Sequence, residues 1–129
     1  MNLNQITIPS LDVDRSVKFY SALGLNLIVD ALPRYARFEC PAGETTMSIH
    51  KVTDLRKGEG ITIYFEDDDL DERVNELKQK GINFTKDPED QSYLWREAHL
   101  IDPDGNIINS NAPQPSSTDL TDLFDELEI

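Results

Sequence analysis

Two histidines are the side chains of this sequence best suited to moving a proton near neutral pH. They are His50 and His99, in a chain of 129 residues. A histidine in a cavity can act as a general base, bind a metal or donate a hydrogen bond to an anion. For His50 the alternative is a solvent-exposed strand end beside Lys51. Both interpretations of His50 stay open at this point.

A second candidate group alternates along one segment and consists of Trp95, Glu97 and His99. Alternate residues of a strand share a face, so these three side chains would form an aromatic platform beside an acid–base pair. The same pattern also fits the outward face of an edge strand. We favour the edge-strand interpretation.

Two arginines lie within strand-like segments, Arg37 and Arg96. A guanidinium in a cavity can clamp a carboxylate or a phosphate through two parallel hydrogen bonds. The alternative is a cross-strand ion pair with Glu39 or Glu97. Cys40 falls on the apolar side of its segment, and we interpret it as a packed thiol rather than a nucleophile.

The acidic composition limits the partners of this chain. It has 25 acidic and 12 basic side chains, which give a formal net charge of −13. Phosphate backbones and anionic lipid surfaces repel such a polyanion, so we expect no nucleic-acid and no membrane partner. The single Cys40 cannot form an intramolecular disulfide, and no apolar segment resembles a signal or a membrane span. We therefore expect a cytoplasmic protein.

The elements that would position these residues occur twice, because the sequence repeats itself with an offset of 57 residues. The stretch Gln5-Ile6-Thr7-Ile8 matches Thr62-Ile63-Tyr64-Phe65, and both alternate as half-buried strands do. The same offset carries Val17 onto Val74 and Gly24 onto Gly81. The sequence therefore predicts a doubled unit.

Each copy predicts a strand, a helix and three further strands. The apolar residues of each helix lie three and four apart: Val13, Val17 and Tyr20, then Leu70, Val74 and Leu77. Asp12 and Asp69 precede these helices as candidate N-caps, and Gly24 and Gly81 fit the left-handed position after their ends. The further strands are predicted at residues 25–29, 34–40 and 45–52, and then 82–86, 93–101 and 107–111.

The predicted fold class is α+β, with two βαβββ modules related by a pseudo-twofold repeat. Each module must bury the apolar face of its sheet under its helix, so we expect a curved mixed sheet with its polar faces around a cavity. The modules span about residues 1–57 and 58–112 of a single domain, 1–112. Residues 113–129 form an acidic tail, in which the spacing of Leu120, Leu123, Phe124 and Leu127 predicts a short amphipathic helix.

The residues of both modules resemble the vicinal oxygen chelate superfamily, which contains glyoxalase I, bleomycin-resistance proteins and extradiol dioxygenases. The resemblance covers about residues 3–111. Its motifs are Asn4-Gln5-Ile6-Thr7-Ile8-Pro9, Asp14-Arg15-Ser16-Val17-Lys18-Phe19-Tyr20, Leu23-Gly24-Leu25, Tyr64-Phe65-Glu66, Asp68-Asp69-Leu70-Asp71, Leu77-Lys78, Gly81-Ile82 and Asp102-Pro103-Asp104-Gly105-Asn106. The set is specific for the fold and only weakly specific for the reaction.

The resemblance also implies where a metal would bind. Metal-dependent members offer His, Gln or Glu at four positions, two in each module, and the ion then stabilises enolate charge on the substrate. These positions fall here on Gln5, near Ser48, on Thr62 and on Asn109. They supply no carboxylate, which metals with oxygen and nitrogen ligands usually need. A standard glyoxalase I is therefore disfavoured.

Three hypotheses follow for the function. The first is a homodimeric protein that binds a small molecule in the cavity between its two modules, without the standard four-ligand metal site. The second is a metal-dependent lyase, isomerase or dioxygenase-like enzyme. The third is a non-catalytic interaction or sequestration protein that works through its acidic tail. We adopt the first as the working hypothesis.

His50 and Glu66 are the candidate catalytic residues. We expect no cofactor; the alternative is one divalent metal, Mn, Fe, Ni, Zn or Mg, on the irregular set Gln5, His50 and Glu66. The candidate substrate-binding residues are Gln5, Thr7, Ser48, Thr62, Tyr64, Asn109, Arg37, Arg96 and Trp95.

Overall fold

The computed structural model describes residues 1–58 and 60–114, and these residues divide into two compact units. The first unit contains Met1–Ile61 together with the later segment Ile101–Asn106. The second contains Thr62–Leu100 and residues 107–114. The predicted tail helix with Leu120, Leu123, Phe124 and Leu127 lies outside the described residues.

The first unit is a four-stranded sheet with one helix. Its strand order is β1-β4-β3-β2, in which β1 and β4 are parallel and the other two pairings are antiparallel. The elements are β1 (Gln5–Ser10), α1 (Val13–Leu23), β2 (Asn26–Ala31), β3 (Tyr35–Glu39) and β4 (Thr46–Lys51).

The second unit repeats this topology in its own strands. Its strand order is β5-β8-β7-β6, again with the first pair parallel. The elements are β5 (Thr62–Glu66), α2 (Leu70–Gln79), β6 (Phe84–Asp90), β7 (Trp95–Ile101) and β8 (Ile107–Pro113). The predicted α+β repeat of two βαβββ modules is confirmed. The favoured interpretation of Trp95, Glu97 and His99 as an edge-strand face is wrong, because β7 has a neighbouring strand on both sides.

The apolar stripes of the two helices form the cores of their units. Val13, Val17 and Tyr20 of α1 are buried, as are Leu70, Val74 and Leu77 of α2. In the second unit Leu70 and Val74 pack against Ala98 of β7 and Ala112 of β8. This packing leaves the alternate residues of each strand on the side of its sheet away from the helix. Among the described residues no helix is long and apolar enough to cross a membrane.

The two helices begin differently. Asp12 has extended backbone angles, and its Oδ1 accepts a hydrogen bond from the amide of Arg15 at 3.1 Å, as predicted for an N-cap. The corresponding prediction for Asp69 is wrong, since its backbone is not extended and its side chain accepts no capping hydrogen bond. Asp67 stabilises the start of α2 instead, because its carboxylate accepts hydrogen bonds from the amide of Asp69 and from the guanidinium of Arg73.

Strand β8 runs further than the sequence predicts. It ends at Pro113 rather than at residue 111, and Ala112 is buried in the core. The side-chain amide of Gln114 then donates to the carbonyl oxygens of Gln91 and Trp95 at 2.8 and 3.2 Å. Pro113, the first residue of the predicted acidic tail, is therefore the last residue of β8.

The turn between β7 and β8 is organised by the buried carboxylate of Asp102. Its Oδ1 accepts from the backbone amides of Asp104 and Asn106 at 2.9 and 2.8 Å. Its Oδ2 accepts from the side-chain amide of Asn106 at 2.8 Å and from the hydroxyl of Tyr20 in α1 at 2.5 Å. Four donors therefore satisfy this buried acid within the first unit.

Asp104, in the same turn, holds the start of α1. Its carboxylate accepts from the amide of Leu11 at 2.9 Å, from the hydroxyl of Ser16 at 2.9 Å and from the guanidinium of Arg15 at 3.3 Å. Ser16 also shares a hydrogen bond of 2.8 Å with Ser10 at the end of β1. The Asp102 turn is thus a structural part of the first unit.

We expect Tyr20→Phe to lower the free energy of unfolding by about 1.5–3 kcal/mol, because it removes a buried hydrogen bond to a charged acceptor. Urea denaturation measures this change. Burial and the nearby carboxylate of Asp102 raise the pKa of Tyr20 above its ordinary value of 10.0, so the folded protein keeps a proton that the unfolded chain loses. Stability should therefore fall as the pH rises above about 10, and Tyr20→Phe should reduce that fall.

Tyr35→Phe is the matched control for this substitution, since Tyr35 is only half-buried in β3. It should keep both most of the stability and the alkaline loss. Equal stabilities and equal pH profiles for the two variants would contradict the role given to Tyr20.

The repeat offers a second test at the starts of its helices. Asp12→Ala should cost about 1 kcal/mol of stability because it removes the N-cap hydrogen bond of α1. Asp69→Ala should cost only a few tenths, since Asp69 contributes no more than its charge near a helix start. Thermal unfolding of both variants checks the difference, and a larger loss in Asp69→Ala would refute this account of the caps.

Candidate functional site

A cluster of polar side chains lies on the helix-free face of the first sheet. The parallel register places Thr7 opposite Ser48 and Gln5 opposite Thr46. Ser48 is fully buried, and its hydroxyl accepts from the side-chain amide of Gln5 at 3.0 Å and shares a hydrogen bond of 2.6 Å with Thr7. Three of the predicted site residues, Gln5, Thr7 and Ser48, therefore contact one another.

Arg37 lies on the same face, across from Ser48. Its guanidinium donates to the hydroxyl of Thr46 at 3.0 and 3.3 Å. Within the described residues it forms no ion pair, so the cross-strand pair considered with Glu39 is absent. The face of the first sheet therefore carries one half-buried positive charge beside a neutral polar cluster.

His50 is on this face too, but it lies at the exposed end of β4. It is paired with Pro9, whereas Gln5 is paired with Thr46. Four residues of strand separate the two pairs, which is about 13 Å, and side chains on one face of a strand project in parallel. The structure therefore does not bring Gln5 and His50 together, and it agrees with the solvent-exposed interpretation of His50.

The residues at the family's metal positions do not fit a metal. In the first sheet Ser48 and Gln5 satisfy each other, and a neutral amide and a hydroxyl are weak ligands for divalent ions. In the second sheet the same positions hold Thr62 and Asn109, again without a carboxylate. Among the described residues no three His, Cys, Asp or Glu side chains are grouped as metal ligands would be.

The helix-free face of the second sheet contains several predicted site residues. Thr62, Tyr64 and Glu66 alternate along β5 and are all exposed. The parallel register places Tyr64 opposite Asn109, whereas Glu66 lies opposite Asn111 at the strand end. Tyr64 and Asn109 are therefore neighbours, and Glu66 lies two residues further along the strand.

Glu97 of β7 is the centre of this face. It is 6% exposed, and it is hydrogen-bonded to the hydroxyl of Tyr93, to the side-chain amide of Asn109 and to the imidazole of His99. The His99 Nε2 atom lies 3.3 Å from the Glu97 Oε1 atom. Burial alone would raise the pKa of Glu97, but these hydrogen bonds outweigh it and lower the pKa below its ordinary value. Glu97 is therefore a buried carboxylate that is ionised at neutral pH.

The carboxylate of Glu97 changes the pKa of Tyr93, although Tyr93 is 55% exposed. The hydrogen bond to Glu97, with smaller contributions from burial and from the charges of Glu97 and Tyr64, raises the pKa of Tyr93 to about 12. Its phenol therefore stays a neutral donor at physiological pH. Tyr64 lies opposite Asn109, which is hydrogen-bonded to Glu97, so both phenols belong to the surroundings of this carboxylate.

Asn109 has one atom without a partner. The residue is 4% exposed, and its Oδ1 atom is buried and accepts no hydrogen bond from the part of the chain that the structure describes. The amide orientation follows from Glu97, because the carboxylate needs the Nδ2 donor and would repel Oδ1. A buried acceptor without a donor is costly, so the site is suited to a donor from outside the protein.

The remaining predicted residues fall on both sides of the second sheet. Trp95 alternates with Glu97 and is half-buried on the same face. Arg96 points to the helix side, where its guanidinium donates to the carboxylate of Asp71 at 3.1 Å and to that of Asp90 at 3.0 Å. Its ion pairs among the described residues are those with Asp71 and Asp90, and it forms none with Glu97.

Glu97 and Tyr93 are the functional candidates that the set of predicted site residues leaves out. The sequence does contain a signal for Glu97, which is a charged residue in the middle of a long strand that otherwise buries Ala98 and Leu100. A charged residue in an interior strand must be hydrogen-bonded, and its presence there indicates a functional face. The signal for Tyr93 is absent, since it lies in the turn before β7.

Solved structures with a similar fold are numerous. A superfamily member from Sphaerobacter thermophilus is 27% identical, with a TM-score of 0.71 over 87% of this chain and 97% of that one. TnmS3, an antibiotic binding protein from Streptomyces, is 21% identical, with a TM-score of 0.75 over 88% and 97%. A lactoylglutathione lyase from Agrobacterium tumefaciens is 17% identical, with a TM-score of 0.72 over 86% and 92%.

No curated protein sequence shows significant similarity to this chain. The family model that matches it is that of the glyoxalase/bleomycin resistance protein/dioxygenase superfamily, and the match spans residues 2–109. This span contains both copies of the repeat and both polar faces. The chain belongs to the glyoxalase/bleomycin resistance protein/dioxygenase superfamily.

Proposed function

We propose that this protein binds a small organic molecule on the helix-free face of its second sheet, and that it does so without the four-ligand metal site of metal-dependent relatives. The observation that carries the proposal is the buried Oδ1 atom of Asn109, which has no hydrogen-bond partner among residues 1–58 and 60–114. It lies beside the ionised carboxylate of Glu97. A ligand that donates to these atoms would complete the site.

The exposed side chains around this pair are those of a binding surface rather than of a core. Tyr64 is 62% exposed and Tyr93 is 55% exposed, and both rings belong to the same neighbourhood as Glu97. Exposed aromatic rings offer large apolar contact at low conformational cost, while buried polar groups orient what binds. Tyr64, Trp95 and Asn109 are therefore the proposed substrate-binding residues of this sheet.

The polar cluster of the first sheet is a separate proposed contact surface. Ser48, Gln5 and Thr7 satisfy one another, and Arg37 retains its positive charge. These four residues remain predicted binding residues, as does Thr62. His50 and Glu66 remain predicted catalytic residues. The predicted homodimer and cytoplasmic location also remain predictions.

Two solved relatives indicate the range of functions that this fold serves. One carries the name of an antibiotic binding protein and another that of a lactoylglutathione lyase. The first supports a role in binding without a required reaction. The donor set of this chain supports the same choice, because the four positions at which the family resemblance places metal ligands contain two amides and two hydroxyls.

Ligand binding should depend on Tyr64. We expect a binder found by thermal-shift screening of a metabolite library to lose about tenfold in affinity with Tyr64→Ala, because an aromatic contact contributes about 1–2 kcal/mol. Isothermal titration calorimetry measures the loss. The exposed side chain of Tyr64 makes this substitution mild for the fold.

Ile61→Ala is the matched control, since Ile61 is exposed three residues before Tyr64 and precedes β5. It should leave the affinity unchanged. If no library member binds, or if binding is the same in Tyr64→Ala, the proposal that this face binds ligand is refuted.

Metal removal should leave the protein unchanged. Protein purified without an affinity tag should contain less than stoichiometric Mn, Fe, Ni, Zn or Mg by elemental analysis, and EDTA should leave its melting temperature unchanged, because the donor set lacks carboxylates. His50→Ala and Gln5→Ala are the variants to compare. A stoichiometric metal that is lost in either variant would establish the metal-dependent hypothesis instead.

A further inference from the structure

We propose that the binding face of the second sheet selects ligands with a protonated amine, which Glu97 and Asn109 bind through hydrogen bonds and the exposed phenols of Tyr64 and Tyr93 surround. This inference rests on the proposed function and adds the chemical class of the ligand. Four features of the described residues lead to it.

The first feature is a negative charge that no lysine or arginine neutralises. Glu97 is buried and ionised, and its three hydrogen-bond partners are a phenol, an amide and an imidazole. Within the described residues neither lysine nor arginine forms an ion pair with Glu97, and the imidazole of His99 compensates its charge only when the ring is protonated. A buried carboxylate without a fixed cation favours a cation from solution or from a ligand.

The second feature is the kind of hydrogen bond that the site needs. The Oδ1 atom of Asn109 lacks a donor, and a carboxylate has about four lone-pair sites, of which Glu97 uses three. Asn109 and Glu97 therefore both offer a hydrogen-bond acceptor to a ligand. An ammonium group has three donors and carries no acceptor, so it suits both atoms, whereas a carboxylate or a phosphate would be repelled by both.

The third feature is the aromatic surroundings. The rings of Tyr64 and Tyr93 are more than half exposed, and Trp95 is half-buried on the same face. Aromatic faces attract ammonium groups, most strongly where water is partly excluded. The pKa of Tyr93 is raised to about 12, so its phenol remains neutral and adds no competing charge below that pH.

The fourth feature is that the nearby cations are already paired with carboxylates. Lys86, which lies opposite His99 on the binding face, is 4.0 Å from the carboxylate of Glu89. Arg96, the residue next to Glu97, points to the helix side and is held by Asp71 and Asp90. Arg73 is held in the same way by Asp67 and Glu76. The second sheet therefore has acceptors and a negative charge on its binding face, and this arrangement disfavours an anionic ligand.

The test compares three probes that share a phenyl ring and differ in their polar group. They are phenethylamine, which is a cation at neutral pH, 2-phenylethanol, which is neutral, and phenylacetate, which is an anion. Binding to the full chain is measured by titration in heteronuclear NMR spectra, which also identify the residues that respond. We expect phenethylamine to perturb Asn109, Tyr93 and Trp95 and to bind at least about tenfold more tightly than 2-phenylethanol.

Glu97→Gln removes the charge and keeps the shape, so it should make the cation and the alcohol bind equally. Glu72→Gln is the matched control, because Glu72 is an exposed carboxylate on α2 of the same unit, and it should keep the preference for the amine. The comparison of the three probes with the unaltered chain decides the question even if Glu97→Gln does not fold.

The outcomes separate this inference from the proposed function. If the alcohol or the anion binds this face as tightly as the amine does, the face binds small molecules and the selection of amines is overturned. If none of the three probes perturbs these residues, the inference is overturned, and the thermal-shift screen with Tyr64→Ala decides independently whether the face binds another ligand. A tenfold preference for the amine that Glu97→Gln abolishes supports both.

Discussion

The carboxylate of Asp102 accepts four hydrogen bonds from its own turn and from helix α1, and the first unit depends on this arrangement. Two backbone amides and one side-chain amide fix the shape of the turn, while the hydroxyl of Tyr20 ties the turn to the helix. Without these donors the buried acid would destabilise the unit, and without the acid the phenol of Tyr20 would be buried alone. Asp104 adds a second link, because it binds the start of α1 through Leu11 and Ser16.

Asp102 of the first unit and Glu97 of the second are both buried carboxylates, and the two differ in a way that separates structure from function. Asp102 has four donors from its own unit. Glu97 also has donors, but its neighbour Asn109 retains a buried acceptor without a partner, and the surrounding phenols face solvent. Complete satisfaction is what a structural acid requires, whereas a deficiency beside exposed aromatic rings is typical of a binding site. The repeat thus uses similar chemistry for two purposes.

The sequence carried enough information to predict the repeat, the fold class and the helix stripes, because hydrophobic periodicity is decided by burial and appears directly in residue order. It did not distinguish Asp12 from Asp69, since the two occupy equivalent positions and only the backbone angles decide which one caps its helix. It also misplaced β7 at a sheet edge. Strand order depends on long-range pairing, and Trp95, Glu97 and His99 alternate in the same way on an interior strand.

The candidate site was predictable only in part for a related reason. Gln5, Thr7 and Ser48 come together because β1 and β4 pair in parallel, a pairing that the repeat alone does not state. Register separates Gln5 from His50, and no sequence pattern states the register. Arg96 lies on the helix side and donates to Asp71 and Asp90, and these partners are 25 and 6 residues away in the chain.

The discontinuity of the first unit has a consequence for how the chain acquires its structure during synthesis. A nascent chain that has reached Ile61 already contains β1 to β4 and α1, but it lacks the segment Ile101–Asn106 that completes the unit. Tyr20 meets its partner only after 82 further residues have been made. Contacts so distant in sequence are slow to form. The hydrogen bond between Tyr20 and Asp102 therefore cannot form until the ribosome has translated most of the second unit.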